Sequence, residues 1–415
     1  MAAAVAASLL GTFAPAWAAA TVSTSAKNPD RTVAHWSPGR AGPFLDHFNG
    51  GALDVATEAP RRRIISLNSW EWGLVDDIKA ANPRAIVLLY QDLSSVRSYA
   101  GAVPRTATCL DPVRDWRGCA DAPYLPTGVG YVEASRDHPE WFLTDGSGRR
   151  LEWRSWPGHW QVDVGNPSYQ QRWLENVRAE LAAHGWDGVI MDNAITRAQS
   201  LTTPAPARYD TDVEMQAAVR SMLAAVSPPL REAGYVTFAN VSDSRMWPGL
   251  WADWLTLLDG ASEEHFVSWS SVPGSGFVWD WGTTGWRGMV DQIATAARMG
   301  KIAMVKIGGV IPDRAAAIYG LASYLLANDG RSVISHGDGT WEPEFEWRLG
   351  RPLGDYRDLG NHVYRRDFAR GTVIVNAADS GSVTVDLGGT YVDGAGTSMN
   401  QVTLGATRGA ILRTP

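Results

Sequence analysis

At 415 residues, 45% of them apolar and 20% charged, the chain is long enough for one large core and a small accessory domain. A net charge of −7 without a basic stripe excludes a nucleic-acid footprint, and no stretch past the N-terminus reaches the roughly eighteen apolar residues of a membrane span. The sequence shows no metal-ligand spacing and no cofactor motif, and it carries no signal for oligomeric state. Residues Met1–Ala18 are alanine-rich, uncharged and end in Ala16-Trp17-Ala18, which reads as a secretory signal peptide, although its basic leader is missing and the first charge is Lys27. Export makes a local disulfide between Cys109 and Cys119 the expected state of the two cysteines.

Short β-branched runs then alternate with longer helical stretches. The predicted strands are Val33–Trp36, Ile64–Asn68, Ala85–Tyr90, Gly188–Asp192, Tyr235–Asn240, Leu257–Glu264, Ala303–Gly308 and Ser332–His336. The predicted helices are Trp72–Ala81, Pro167–His184, Thr211–Ala233, Trp286–Met299 and Pro312–Asn328, with the first and fifth connections undefined. That is an α/β pattern, a (β/α)8 TIM barrel over residues 28–352; no glycine-rich phosphate loop follows any strand, as a doubly wound sheet would have. An insertion at 91–166 is rich in tryptophan, holds both cysteines and is expected to overhang the mouth of the barrel. Residues 353–415 read as short strands separated by turns, a small all-β C-terminal domain expected to be a β-sandwich.

One phrase occurs twice. Asp187-Gly188 stands five positions before Asp192, and Asp259-Gly260 stands five positions before Glu264. On strands of a barrel both acids point into the lumen at the C-terminal mouth, where paired carboxylates suit glycosidic bond cleavage. A helix cap or loop-fixing role is the simpler reading of Asp192. Glu263 is the alternative acid/base, because a shift of one residue exchanges its face with that of Glu264. The expected roles are Asp192 as nucleophile and Glu264 as acid/base. Twenty tryptophans, more than either the 12 tyrosines or the 9 phenylalanines, add flat faces for sugar rings.

The candidate substrate-binding residues are Trp36, Asn68, Asp92, Trp156, Asp163, Asn193, Asn240, Lys306 and His336, with His35, Gln91 and Asp338 beside them. Each has a packing or capping role as its simpler reading. Lys306 and His336 are favoured, since a cation or imidazole inside a barrel needs a partner. No serine or cysteine nucleophile motif with a histidine partner is present, no His-Glu-x-x-His occurs, and Asp210 and Asp212 are too sparse for a calcium loop.

Met191-Asp192-Asn193 is similar to the strand-four ending of the retaining barrels of the α-galactosidase superfamily. More of the chain resembles a bacterial family described as hypothetical glycosyl hydrolase family 15. The resemblance runs through Asp137-His138-Pro139-Glu140-Trp141-Phe142-Leu143, Trp160–Pro167, Gly188–Asn193, Val363–Phe368 and Gly371–Asn376. With the N-terminal segment, the family resemblance implies a secreted glycoside hydrolase; the superfamily likeness implies action on an α-linked oligo- or polysaccharide with retention of configuration. The superfamily often has Asp as acid/base where this chain offers Glu. The alternatives are a secreted glycan-binding protein on an inactive barrel and a transglycosylase on the same scaffold.

Overall fold

In the computed structural model, which describes residues 37–415 except 48–49, 203, 270–274, 309–313 and 338, eight parallel strands surround an apolar lumen. They are β1 (Phe44–Asp46), β2 (Ile64–Leu67), β3 (Ile86–Asp92), β4 (Gly188–Asp192), β5 (Val236–Asn240), β6 (Gly260–Phe266), β7 (Ile302–Ile307) and β8 (Val333–His336). Each pairs with the next, and the ring closes through a parallel bridge between Pro43 and Ile334, with Ile334 N–H donating to Gly42 O at 3.0 Å. The expected first strand, Val33–Trp36, lies outside the described residues; the strand that pairs with β2 is β1. At three residues it is shorter than the runs from which strands are read.

The helices are α1 (Val55–Arg61), α2 (Leu74–Ala81), α3 (Tyr131–Asp137), α4 (Pro167–Ala183), α5 (Asp212–Glu232), α6 (Leu250–Leu255), α7 (Trp286–Arg298) and α8 (Arg314–Ala327). All but α3 are crossovers between successive strands. The two connections undefined in sequence hold α1 and α6, of seven and six residues, too short to show a helical period. Helix α4 begins where the Asn166 side chain accepts Ser168 N–H and Pro167 takes the first turn. A capping box of Thr211 and Glu214 starts α5. Among the described residues no helix is long and apolar enough to cross a membrane.

The lumen is filled by Phe44, Ile64, Leu88, Ile190, Phe238, Ile302, Met304 and Val333. Strand β6 contributes Gly260 instead of a side chain, because a Cβ there would stand 2.3 Å from the Phe238 ring. The repeated Asp-Gly phrase is explained at the same level. Asp187 accepts Val87 N–H at 2.9 Å and Asp259 accepts Thr237 N–H at 2.9 Å, so each Asp ties the base of its strand to the preceding one. Gly188 lets the following strand come close, since a Cβ there would lie 2.0 Å from Val236 O of β5. From these fixed bases the period of two delivers Asp192 and Glu264 to the mouth.

Between β3 and α4 the insertion carries an antiparallel ribbon (Ser95–Arg97 with His159–Gln161), α3, and the Cys109–Cys119 disulfide with Cα atoms 4.7 Å apart. Its root is tied to the end of β4: Leu93 N–H donates to Asp192 O at 3.1 Å and Ser94 Oγ to Asn193 O at 2.6 Å.

The C-terminal strands β9 (Arg357–Asp358), β10 (Val363–Phe368), β11 (Gly371–Asn376), β12 (Ser382–Val392), β13 (Ser398–Gly405) and β14 (Arg408–Arg413) form one antiparallel sheet, in the order β9-β10-β11-β14-β12-β13. The strands expected at Ser382–Leu387 and Gly389–Val392 are one strand with a register shift after Asp386. One face of the sheet builds a separate core in which Val385, Leu387 and Leu404 meet Val363, Ile374 and Leu412. Tyr364, Phe368, Val373 and Ile411 on the other face join the core of the barrel.

Candidate active site

The inward row of β4 ends at Asp192, whose carboxylate is saturated with donors. Oδ1 accepts Asn193 N–H at 2.8 Å and Asn240 Nδ2 at 2.8 Å; Oδ2 accepts Asn193 Nδ2 at 3.0 Å and the Tyr90 hydroxyl. Four donors fill the lone-pair sites of an ionised carboxylate. Against them, burial first, then the charges of Glu264 and Asp92, push the Asp192 carboxyl up to about 7. The Glu264 charge that acts on Asp192 puts the two carboxylates within reach of one another's field.

Glu264 follows Ser262 on the inward row of β6. Two residues, Glu264 and His265, stand opposite the single Lys306 of β7, a bulge that ends regular pairing where the chemistry would begin. Lys306 Nζ lies 3.1 Å from Glu264 Oε1 and 2.9 Å from Asp46 Oδ2, and Ser66 Oγ donates to Asp46 Oδ1 at 2.8 Å. Burial alone would lower the Lys306 ammonium, but Asp46 and Glu264 raise it well above its ordinary range. The Glu264 side chain is 33% exposed, and among the described residues no hydrogen bond reaches its Oε2. Asn240 links the two acids: it donates to Asp192, accepts Ser242 Oγ at 2.7 Å, and Ser242 Oγ accepts Glu264 N–H at 2.8 Å.

Glu263 faces the other way. It is fully buried, accepts Arg245 Nη1 at 3.3 Å and His265 N–H at 3.2 Å, and belongs to the barrel wall. Asp92 sits beside Asp192 in register, fully buried, with Arg97 at 2.7 Å, the Ser94 and Ser95 amides on Oδ1 and Asn193 Nδ2 at 2.9 Å. Its acceptors are used within the protein, so it fixes Asn193 and the root of the insertion rather than offering itself to a sugar. Asn193 makes its two contacts from a left-handed backbone, φ 58°, which Asn tolerates.

Asn68 lies at the end of β2 and is committed to Glu71 Oε2 at 3.0 Å and His47 O at 3.3 Å. Asp163 is held by Arg208 at 2.9 Å, Gly165 N–H at 3.0 Å and the Tyr209 hydroxyl; none of these touches the carboxylate pair. Trp156 is exposed on the loop of the insertion, edge-on to Trp153 at 6.3 Å. His336 does not share the lumen with Lys306. Ser335 is the register partner of Lys306, so alternation turns the buried His336 outward beside Ile307. His35, Trp36 and Asp338 lie outside the described residues.

Three site residues escaped the sequence reading. Tyr90 continues the inward row Ile86, Leu88 and was legible as a hydroxyl on a lumen position. Asp46 was hidden with its three-residue strand. Arg97 comes from the insertion and reaches Asp92 only through tertiary structure. Among the described residues no group of three His, Cys, Asp or Glu side chains is arranged to hold a metal ion.

A family model described as hypothetical glycosyl hydrolase family 15 matches residues 79–372. No curated protein matches. The chain is similar in structure to Aspergillus fumigatus Ega3 in complex with galactosamine (10% identity, 74% of this chain and 95% of that one, TM-score 0.45). It is also similar to the glycoside hydrolase domain of PelA from Pseudomonas aeruginosa (14%, 74% and 95%, 0.42) and to an alpha-amylase from Lactobacillus plantarum (11%, 91% and 99%, 0.47).

Proposed function

We propose, because this chain belongs to hypothetical glycosyl hydrolase family 15 and is a glycoside hydrolase, that it cleaves an α-linked oligo- or polysaccharide by double displacement at Asp192 and Glu264. The observation that carries the reading is the asymmetry of the pair. Asp192 accepts four donors that fix it in place for attack, while among the described residues no hydrogen bond reaches Glu264 Oε2, which is left open to a leaving oxygen.

In the first step Glu264 protonates the leaving oxygen as the Asp192 carboxylate attacks the anomeric carbon, giving a glycosyl ester. In the second, Glu264 takes a proton from water, whose oxygen displaces Asp192 and releases the sugar with its configuration retained. The mechanism requires Asp192 ionised and Glu264 carrying the proton that passes to the leaving oxygen. Lys306 balances the negative charge that returns to Glu264 in the first step. Exposed Trp269 and Trp281, on the loop that follows β6, would supply flat faces for further sugar units. Export is part of the proposal, supported by the apolar Met1–Ala18 segment and the Cys109–Cys119 disulfide.

The test is Asp192→Asn on a panel of α-linked glycans, with product anomers followed by NMR. Turnover should fall by at least about 10³-fold with the fold intact, and wild type should release the retained anomer first. Retained turnover, or an inverted first product, would end the double-displacement reading.

A further inference from the structure

A cavity of about 490 Å³ lies on the far side of β3 from the carboxylates, between insertion residues 121–130 and the C-terminal half of α4. Its size falls within the roughly 300–1,000 Å³ of small-molecule sites. Gln91 lines it from the outward row of β3, next to the inward Tyr90 and Asp92. That side chain is 3% exposed; its Nε2 donates to Leu125 O at 3.0 Å, and its Oε1 is buried without a hydrogen-bond partner among the described residues.

The opposite wall is aromatic. The His184 ring stacks on Trp72 at 4.5 Å and meets Tyr124 edge-on at 5.8 Å. Glu180 lines the same wall, its Oε1 4.0 Å from His184 Nε2, and burial pushes its carboxyl up to about 7. Two further lining acids are already engaged: Asp121 accepts the Val132 and Glu133 amides at 2.9 Å each, and Glu133 pairs with Arg172 at 2.5 Å. Among the described residues the lining includes no Lys or Arg. Such a wall repels anions, and the Glu180 carboxyl calls for a polar partner. It suits a molecule with several hydroxyl donors and one flat C–H face.

We propose that this cavity is a second, non-catalytic saccharide site, seating a sugar ring against Tyr124 and His184 with its hydroxyls on Glu180. The inference rests on the reading that the protein handles glycans, but not on the roles of Asp192 and Glu264. Because residues 121–130 belong to the insertion rooted at the barrel mouth, a glycan held here lies beside the strand that carries Tyr90 and would keep a polymer near the mouth.

The experiment is ligand-observed NMR titration with glucose, galactose, galactosamine and maltotriose. Wild type, Asp192→Asn, Tyr124→Ala and Glu180→Gln are compared, each checked for an unchanged melting temperature. At least one probe should bind Asp192→Asn as it binds wild type and lose affinity by at least about tenfold in Tyr124→Ala and Glu180→Gln. A galactosamine-only signal would assign the site to an ammonium on Glu180; equal binding of neutral sugars would assign it to hydroxyls. Binding unaffected by both wall substitutions, or no binding by any probe, overturns the proposal. Loss in Asp192→Asn alone overturns it too while leaving the catalytic reading standing. Should Tyr124→Ala misfold, Glu180→Gln, on a partly exposed side chain, decides alone.

Discussion

Lys306 shows how much of the proposed chemistry depends on one charge. It stands between Asp46 and Glu264, and its removal would leave both acids without their nearest cation. Loss of a positive charge favours the protonated forms of the carboxyl groups. With Asp192 pushed up to about 7, kcat/KM should rise through neutrality as the nucleophile loses its proton. Lys306→Met should move that limb upward by about one pH unit or more, measured as a kcat/KM profile on an activated aryl glycoside. An unmoved limb would detach Lys306 from the pair. The same elevation has a stability consequence. An acid whose folded value is raised keeps its proton in the native state after the unfolded chain has lost it, so stability falls between about pH 4 and about 7. Wild type should therefore lose melting temperature relative to Asp192→Asn across that window, whatever constant offset the amide brings. Parallel curves would show that Asp192 is not raised.

At the scale of elements, the strand ends are what the sequence made legible. Period-two alternation put Ile190 with Asp192 and Ser262 with Glu264 on the lumen rows, and the coordinates keep both pairs there while Glu263 faces the wall. His336 was misplaced because a strand read one residue long at its start gives no hint of which row faces in; the register with Lys306 does. Arg97 and Asp46 could not be found from local pattern, one being delivered by a ribbon and the other by a strand of three residues. The insertion is the element most open to perturbation. Reduction of Cys109–Cys119 releases a loop away from the sheet, so the main unfolding transition should hold while protease cuts within residues 109–119 increase. A large drop in melting temperature would show that the bridge supports the barrel itself.

Over the whole molecule, the C-terminal sheet braces the loop that follows β6. Asp280 of that loop is fully buried at its side chain and accepts Tyr364 Oη at 2.6 Å, Arg287 Nη2 at 2.7 Å and His362 Nδ1 at 3.2 Å. Arg366 caps the carbonyls of Leu325 and Asn328 at the end of α8, at 3.0 and 2.9 Å. Asp280→Ala would strand these donors at a cost of about 2–4 kcal/mol, read by denaturant unfolding. It should also raise KM for polymers more than for a small aryl glycoside, because Trp281 rides on the same loop. Equal effects on both substrates would confine Asp280 to stability.

The ring of strands is thinnest where β1 meets β8, with one bridge and a three-residue strand. Lys306 reaches across that seam, from β7 past β8 to Asp46, with the same ammonium that touches Glu264. Closure of the hoop and readiness of the proton donor therefore share a single rivet. An engineer who retunes one at this position changes the other, and looseness at the seam would be felt first as altered proton transfer.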